Sequence, residues 1–285
     1  MDTAKGCNFL LTNGGEMKDY WGVGKASKPM LPLIAIPTTA GTGSECQSFA
    51  LISDAVTHAK MACGDPKAMA KVAILDPELT LSQPARVTAC TGIDAVAHAV
   101  ESAVTRKRNE TSQQYSRVAF GLLSQSLPAV LTKPNDLEGR GLMLLGAAFA
   151  GTAIEHSMLG AAHSAANPLT AHFDVIHGQA VGLMLPHVVR FNGEDEDIAK
   201  AYAELVTGTT AASINGVPAH ESLASLLEDF MDAAGMPRDL KACGVDATKI
   251  DLLSEEAAAQ WTASFNPRDI TASDFKGLYS RAFGS

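Results

Sequence analysis

The spacing of apolar and polar positions changes near residue 81 and divides the chain into two unequal parts. Before that point, a helix-like segment over residues 2–11 is followed by short apolar segments of strand length, bounded by turn residues, at 31–37, 49–53, 58–63 and 71–75. Because the segment 31–37 does not alternate, we expect it to be buried on both faces of a sheet. The Asp-Pro pairs at 65–66 and 76–77 are expected to stop the neighbouring strands.

Beyond residue 81 the apolar residues have helical spacing, and strand-like alternation is nearly absent. Helices are predicted at about residues 84–105, 110–130, 136–158, 160–172, 178–191, 195–208, 219–234 and 248–263. We therefore predict an α/β domain over residues 1–82 and an all-helical domain over residues 83–285, so that the fold class is α/β plus all-α.

Composition and charge exclude several classes of protein. The 285 residues include 22 Lys+Arg and 31 Asp+Glu, and the resulting net charge of −9, without a basic stripe, argues against a nucleic-acid partner. No apolar segment near the middle is long enough to span a bilayer, so no membrane partner is expected. Residues 1–10 lack a signal-peptide pattern, and the five cysteines are scattered without a Cys-x-x-Cys pair. These features predict a cytoplasmic protein with reduced thiols.

The first group of residues that can carry chemistry lies in the segment GIDAVAHAVE at 92–101. Asp94 and His98 are four residues apart, so on a helix their side chains project from one face, one turn apart. Their apolar neighbours indicate a buried helix, in which a carboxylate and an imidazole need partners. Taken alone, the pair is better explained by an Asp–His hydrogen bond inside a helix bundle than by a metal site.

The second group is a concentration of histidines, because five of the eight lie between residues 156 and 187. His163 is on a predicted helix with small neighbours, and His177 stands at a predicted helix start. Together with Asp94 and His98 they make one carboxylate and three imidazoles, a set that suits Fe²⁺ or Zn²⁺. His58 and His220 are expected to lie at the surface. His187 is expected to serve in capping or packing.

The third group is the turn TTAGTGSE at residues 38–45, after which a helix is expected. It follows a strand-like segment and is rich in hydroxyl side chains and glycine. Backbone N–H groups and hydroxyls in such a turn can hold an anion, notably a phosphate. The pattern is neither Gly-x-Gly-x-x-Gly nor a P-loop, so a purely structural loop is a live alternative.

In combination, these segments resemble the iron-containing (group III) alcohol dehydrogenases, which share a fold with glycerol dehydrogenase and dehydroquinate synthase. The matching stretches follow the family's order over about residues 1–192 and read IPTTAGTGSE, VAILDPELT, TGIDAVAHAVES, GAAHSAANPLTAHFDVIHG and GLMLPHVVRFN. The resemblance implies a partial Rossmann-like domain followed by a helical metal-binding domain. It also implies hydride transfer between a small alcohol or aldehyde and NAD or NADP, with Fe²⁺ or Zn²⁺ as the metal.

The resemblance carries roles onto individual residues. The implied metal ligands are Asp94, His98, His163 and His177. The implied cofactor contacts are Asp2, Thr38, Thr39, Thr42 and Lys60. Asn167 stands where some branches of the family have a further histidine, proposed there as a proton relay. Because an amide cannot relay a proton, His172, ribose hydroxyls or water are expected to carry the proton out.

Family members carry, before the residues that match Asp2, several strands and a Gly-Gly-Gly-Ser turn that cradles the cofactor pyrophosphate. The resemblance therefore implies an N-terminally shortened member whose cofactor binding is in question. Three alternatives stay open: a non-catalytic metal-binding remnant, a maleylacetate reductase-like enzyme and a dehydroquinate synthase-like enzyme. The family forms dimers and larger assemblies, with which a homodimer of this chain would be compatible.

Overall fold

The computed structural model describes residues 1–54, 60–209 and 216–284. The N-terminal part begins with helix α1, Asp2–Asn13, which ends at Gly14 with a φ of 80°, a value that favours glycine. Within the described residues five short strands follow: β1 (Gly22–Val23), β2 (Ile34–Ala35), β3 (Phe49–Ser53), β4 (Lys60–Gly64) and β5 (Val72–Ala73).

These strands form two small sheets. Strand β4 pairs in parallel with β1 and antiparallel with β3, while β2 pairs in parallel with β5. Phe49 lies opposite Gly64, where a Cβ would come within 2.5 Å of the Phe49 ring, so only glycine fits. A small apolar core joins α1 to the three-stranded sheet, and in it the rings of Phe9 and Tyr20 have centroids 5.0 Å apart.

Several strand predictions are confirmed. Strand β3 has the predicted bounds, and β4 covers most of the predicted segment 58–63, of which His58 and residue 59 lie outside the described residues. The segment 71–75 shortens to β5. Asp65 and Asp76 end their segments as predicted, because each caps a 3₁₀ turn that starts at the following proline.

The prediction that residues 31–37 are buried on both faces is wrong. Ile34 and Ile36 are 60% and 47% exposed, whereas Ala35 between them is buried. Among the described strands β2 pairs with β5 alone, and Val72 of β5 is 50% exposed. The apolar run therefore reflects a sheet that is covered on one face by the described residues.

Nine α-helices occupy the described residues from 85 onward: α2 (Ala85–Ser102), α3 (Glu110–Thr132), α4 (Leu137–His156), α5 (Ala161–Phe173), α6 (His177–Gly193), α7 (Glu196–Leu205), α8 (Ala219–Ala233), α9 (Ile250–Ala259) and α10 (Ala272–Ala282). The predicted segment 248–263 divides into α9 and a 3₁₀ turn, Trp261–Phe265. The predicted helices do not include α10, although Thr271 and Asp274 form a capping box at its start.

Helix α2 lies in the middle of the helical part and packs against α3, α4 and α6. Thirteen of its 18 residues are buried, and many of them are alanine. Small side chains let neighbouring helices approach closely, so polar residues on α2 lie inside the protein. This arrangement places Asp94 and His98 where other helices can bring further side chains to them.

Two histidines outside that region occupy packed positions. His187 is half-buried on α6, in agreement with a packing role. The surface position expected for His220 is wrong, because only 17% of its side chain is exposed. Its ring lies against Gly193, where a Cβ would stand 2.3 Å from the His220 Cγ atom. The absent side chain at position 193 is what gives the ring its space.

The observed fold is an α/β part followed by an all-helical part, as predicted. We propose the domain division between residues 82 and 83, and separate apolar cores on its two sides support that position. None of the described helices alone is long and apolar enough to cross a membrane. By length and composition, α4 and α5 meet that criterion only as a pair bent by 106°.

Candidate metal centre

Three helices bring the four predicted ligand residues together. Asp94 and His98 lie one turn apart on α2, His163 lies on α5, and His177 is the first residue of α6. Oδ1 of Asp94 is 3.5 Å from Nε2 of His98, 3.3 Å from Nε2 of His163 and 3.8 Å from Nε2 of His177. Three imidazoles thus converge on a single carboxylate oxygen.

Small residues make this convergence sterically feasible. A Cβ at Gly178 would lie 2.0 Å from the carbonyl oxygen of Cys90, so the start of α6 touches the backbone of α2. On α5, His163 is flanked by Ala162 and by further alanines that are completely buried. Backbone contact between helices therefore sets the distance between the imidazoles and the Asp94 carboxylate.

The atoms that face one another lack hydrogen-bond partners. Asp94 Oδ1 and His163 Nε2 are both buried, and neither has a partner among the described residues. The Asp94–His98 hydrogen bond considered from the sequence is therefore not formed at Oδ1. Unpaired polar atoms in a buried site are unfavourable unless something binds them. A divalent cation bound by carboxylate and imidazole would supply the missing partner, so the residues fit such an ion.

The cluster is closed on one side and open on the other. Among the described residues, Asp94, His98 and His163 have ligand atoms within 4.8 Å of one another, and all three are buried. His177 is more peripheral, with 30% of its side chain exposed. A metal site with a solvent-accessible side can accept a substrate atom as well as protein ligands.

The charges in the cluster suit cation binding. Burial alone would raise the pKa of Asp94, but the adjacent imidazoles, His98 first, hold that pKa below its ordinary value. Burial lowers the pKa of His98, and it lowers the pKa of His177 to about 4. The carboxylate is thus charged and these two imidazoles are neutral near pH 7, which are the protonation states that ligate a metal.

His163 has a carboxylate on its outer side. Its Nδ1 atom forms a hydrogen bond with Oε2 of Glu101, and the other Glu101 oxygen accepts the backbone N–H of Ala162 at 2.7 Å. Burial opposes protonation of His163, but Glu101 and Asp94 outweigh it and raise the pKa of His163 to about 9. The sequence reasoning assigned no role to Glu101. Its position three residues after His98, on the same buried helix face, was the available signal.

The Thr- and Gly-rich turn packs directly onto the helical part. Gly43 has a φ of +62°, and a Cβ there would lie 2.6 Å from the Cα of Gly151 on α4. A Cβ at Gly41 would lie 2.5 Å from the Cβ of Thr91 on α2. The Gly41 backbone also lies beside His98. The turn therefore borders the ligand cluster. The helix expected after the turn is only a 3₁₀ turn, Ser44–Cys46.

Comparisons with known proteins agree with this arrangement. Residues 1–77 match the model of the iron-containing alcohol dehydrogenases, and residues 88–283 match that of the C-terminal part of the Fe-containing alcohol dehydrogenase family. This chain belongs to the iron-containing alcohol dehydrogenase family. The family matches thus extend over both the α/β part and the helical part.

Individual relatives cover nearly the whole chain. It is 33% identical to the NAD-dependent methanol dehydrogenase of Bacillus methanolicus, over 99% of this chain and 74% of the relative. It is 34% identical to alcohol dehydrogenase 4 of Schizosaccharomyces pombe, over 99% of this chain and 66% of the relative. An alcohol dehydrogenase structure from Oenococcus oeni superposes with a TM-score of 0.93 at 30% identity, over 99% of this chain and 74% of that one. A 1,3-propanediol oxidoreductase structure has the same TM-score and coverage at 28% identity.

In this dehydrogenase-family chain, three of the residues expected at the cofactor lie on the turn itself. Thr38 and Thr42 are exposed and Thr39 is half-buried. Lys60 is exposed at the start of β4, close enough to His177 for its charge to lower the pKa of that imidazole. Asp2 is engaged within the protein, because its carboxylate accepts the Ser44 hydroxyl at 2.5 Å and the Leu51 backbone N–H at 2.9 Å.

The two residues expected to serve in catalysis are in different surroundings. Asn167 lies one turn after His163 on α5, and its amide donates a hydrogen bond to Oε1 of Gln260 at 3.1 Å. His172 lies nearer the end of α5 with 38% of its side chain exposed, and its Nε2 atom is 2.8 Å from Oε2 of Glu256. Within the described part of the chain, no recorded contact joins His172 to the ligand cluster.

Proposed function

We propose that this chain acts as a metal-dependent alcohol dehydrogenase, which transfers a hydride between a small alcohol or aldehyde and NAD or NADP. The observation that carries the proposal is the convergence of three imidazole Nε2 atoms on Asp94 Oδ1, between 3.3 and 3.8 Å away. Family membership supports the dehydrogenase over the maleylacetate reductase-like and dehydroquinate synthase-like alternatives.

The proposed metal ligands are Asp94, His98, His163 and His177. The donor set suits Fe²⁺ or Zn²⁺, and the family's description favours iron. When bound, such an ion supplies Lewis-acid polarisation of the substrate oxygen. The chain itself contributes a charged carboxylate, neutral imidazoles on α2 and α6, and a largely buried setting that keeps water from three of the four ligands.

The proposed cofactor site lies on the partial Rossmann-like α/β part, beside the turn. The exposed hydroxyls of Thr38 and Thr42 and the exposed ammonium of Lys60, whose charge acts on His177, are proposed to contact a bound dinucleotide. Thr39 is a further proposed contact. Asp2 would act through the turn, because its carboxylate already holds Ser44. The nicotinamide supplies the hydride acceptor, and the protein's part is orientation and electrostatics.

Asn167 and His172 are proposed to assist the departure of the alcohol proton. Asn167, hydrogen-bonded to Gln260, would orient the substrate or a water next to His163. His172 follows His163 by nine positions. At a rise of about 1.5 Å per residue, it is roughly 13 Å further along the helix. A proton would therefore reach His172 through water, and from there the solvent.

Cellular location and oligomeric state are two further proposals. We propose a cytoplasmic location with reduced thiols, in keeping with five cysteines that are free. A homodimer also remains a proposal.

Nicotinamide reduction tests the proposed function. NAD⁺ and NADP⁺ are titrated against the purified, Fe²⁺-loaded chain, and reduction is then followed with a series of small alcohols. Binding of one nucleotide and alcohol-dependent reduction are expected. Absence of binding to either nucleotide, with metal bound, would contradict the proposal and favour the non-catalytic metal-binding alternative.

A further inference from the structure

We propose that Glu101 is the positioning residue of the metal centre, which holds His163 in the orientation and tautomer that present Nε2 to the ion. The inference rests on the proposed metal site. Glu101 would act through His163 and contact neither the metal nor the substrate.

The contacts of Glu101 indicate a positioning role. It is 4% exposed, and its two carboxylate oxygens have different partners, Nδ1 of His163 and the backbone N–H of Ala162. A carboxylate accepts hydrogen bonds only, so when His163 gives up one proton to bind an ion, the proton that remains is on Nδ1 and the lone pair is on Nε2. That nitrogen is the atom that faces Asp94 at 3.3 Å.

The second contact fixes the backbone that carries the imidazole. Ala162 is in the first turn of α5, where backbone N–H groups have no partner within the helix. By accepting one of them, Glu101 ties the start of α5 to α2, on which Asp94 and His98 are located. One side chain therefore sets both the ring of His163 and the position of its helix relative to two other ligands.

Glycine at position 160 leaves room for this carboxylate. A Cβ at Gly160 would lie 3.2 Å from Oε1 of Glu101 and 3.3 Å from Oδ1 of Asn266, closer than most Cβ contacts. Glycine at this position thus lets the carboxylate reach the start of α5. Hydrogen-bonded partners of ligating histidines commonly contribute 10- to 100-fold to metal affinity.

The test replaces one oxygen acceptor with a donor. In Glu101→Gln, the amide oxygen can accept a hydrogen bond from one of the two N–H groups. The amide NH₂ group is a donor, so it cannot accept from the other. The matched control is Glu155→Gln, because Glu155 also accepts a backbone N–H, that of Ser48 at 2.8 Å, but touches no proposed ligand. Zn²⁺ affinity is measured by competition with a chromophoric chelator, and Co²⁺ absorption reports the ligand geometry.

We expect Glu101→Gln to raise the Zn²⁺ Kd by about 10- to 100-fold and to shift the Co²⁺ absorption bands at saturation, with Glu155→Gln unchanged. A Glu101→Gln protein with wild-type Kd and spectrum overturns the inference. If that variant does not fold, Glu101→Asp replaces it, since the shorter side chain withdraws the carboxylate from Nδ1 of His163; a weaker Zn²⁺ affinity supports the inference and an unchanged one overturns it. Loss of metal in His163→Ala with wild-type binding in Glu101→Gln would leave the proposed function standing and remove this inference alone.

Discussion

Gly178 touches the backbone of Cys90 so closely that a Cβ at position 178 would stand 2.0 Å from the Cys90 carbonyl oxygen. This contact holds the first turn of α6 against α2. The adjacent residue, His177, consequently reaches Asp94, although 83 positions separate them in the sequence.

Replacing Gly178 with alanine should therefore weaken folding and metal binding together. The added methyl group forces α6 away from α2, and overpacking of this kind costs about 1–3 kcal/mol of unfolding free energy. Gly121→Ala is the control, because a Cβ at Gly121 meets nothing within 4 Å and alanine is the better helix former. Urea unfolding and Zn²⁺ titration check both variants. Equal stability and Zn²⁺ affinity in the two would show that the close contact is unimportant.

Lys5 should stabilise the segment that follows the turn. Its ammonium is completely buried and donates to the carbonyl oxygens of Ser44, Gln47 and Phe49 at 2.6, 2.7 and 3.0 Å. Lys5→Met removes these hydrogen bonds and leaves the Ser44 carbonyl only its 3.2 Å bond from the Gln47 N–H, so we expect a loss of about 2–4 kcal/mol in the free energy of unfolding. Lys28→Met, at an exposed lysine, should change it little. Chemical denaturation measures both, and a neutral Lys5→Met would refute the structural role.

His187 should make stability depend on pH between about 4 and 6.5. Burial, reinforced by Arg190 and Arg281, lowers the pKa of His187 from 6.5 to about 4, with Glu228 acting in the opposite direction. Between these values the unfolded chain binds a proton that the folded chain does not, so stability falls as the pH falls. The loss amounts to at most about 3 kcal/mol.

Glutamine at position 187 removes this titration. Urea unfolding at a series of pH values should therefore give a shallower decline for His187→Gln than for the unaltered chain. The other titrating groups are common to both proteins, so the difference between the two curves isolates His187. Parallel curves would mean that His187 is protonated equally in the folded and unfolded states.

The spacing of residues along the chain was sufficient to predict part of the site. The four-residue interval between Asp94 and His98 and the helix start at His177 followed from helical geometry. Glu101 and Gly178 escaped prediction because their roles depend on which atoms α5 and α6 bring to α2. A buried glutamate or a glycine at a helix start can have many roles. Which role it has depends on the atoms that neighbouring helices bring to it.

The fold shows the same division. Most helices with a clear apolar face were predictable, and so was β3, a short apolar segment of strand length. The burial of residues 31–37 was not, because the number of strands beside β2 is a tertiary property that the composition of one segment does not contain. Helix α10 was missed although the sequence carried both signals for it: Thr271 and Asp274 mark its start, and its buried apolar residues have helical spacing.

The metal content of variants tests whether Asp94, His98, His163 and His177 bind an ion. The wild-type chain, His163→Ala and His156→Ala are each loaded with Fe²⁺ or Zn²⁺, freed of excess ion and analysed by elemental mass spectrometry. His156 is an exposed histidine outside the cluster and controls for adventitious binding. We expect a single ion per chain in the wild type and in His156→Ala, and none in His163→Ala. Wild-type metal content in His163→Ala would contradict this expectation.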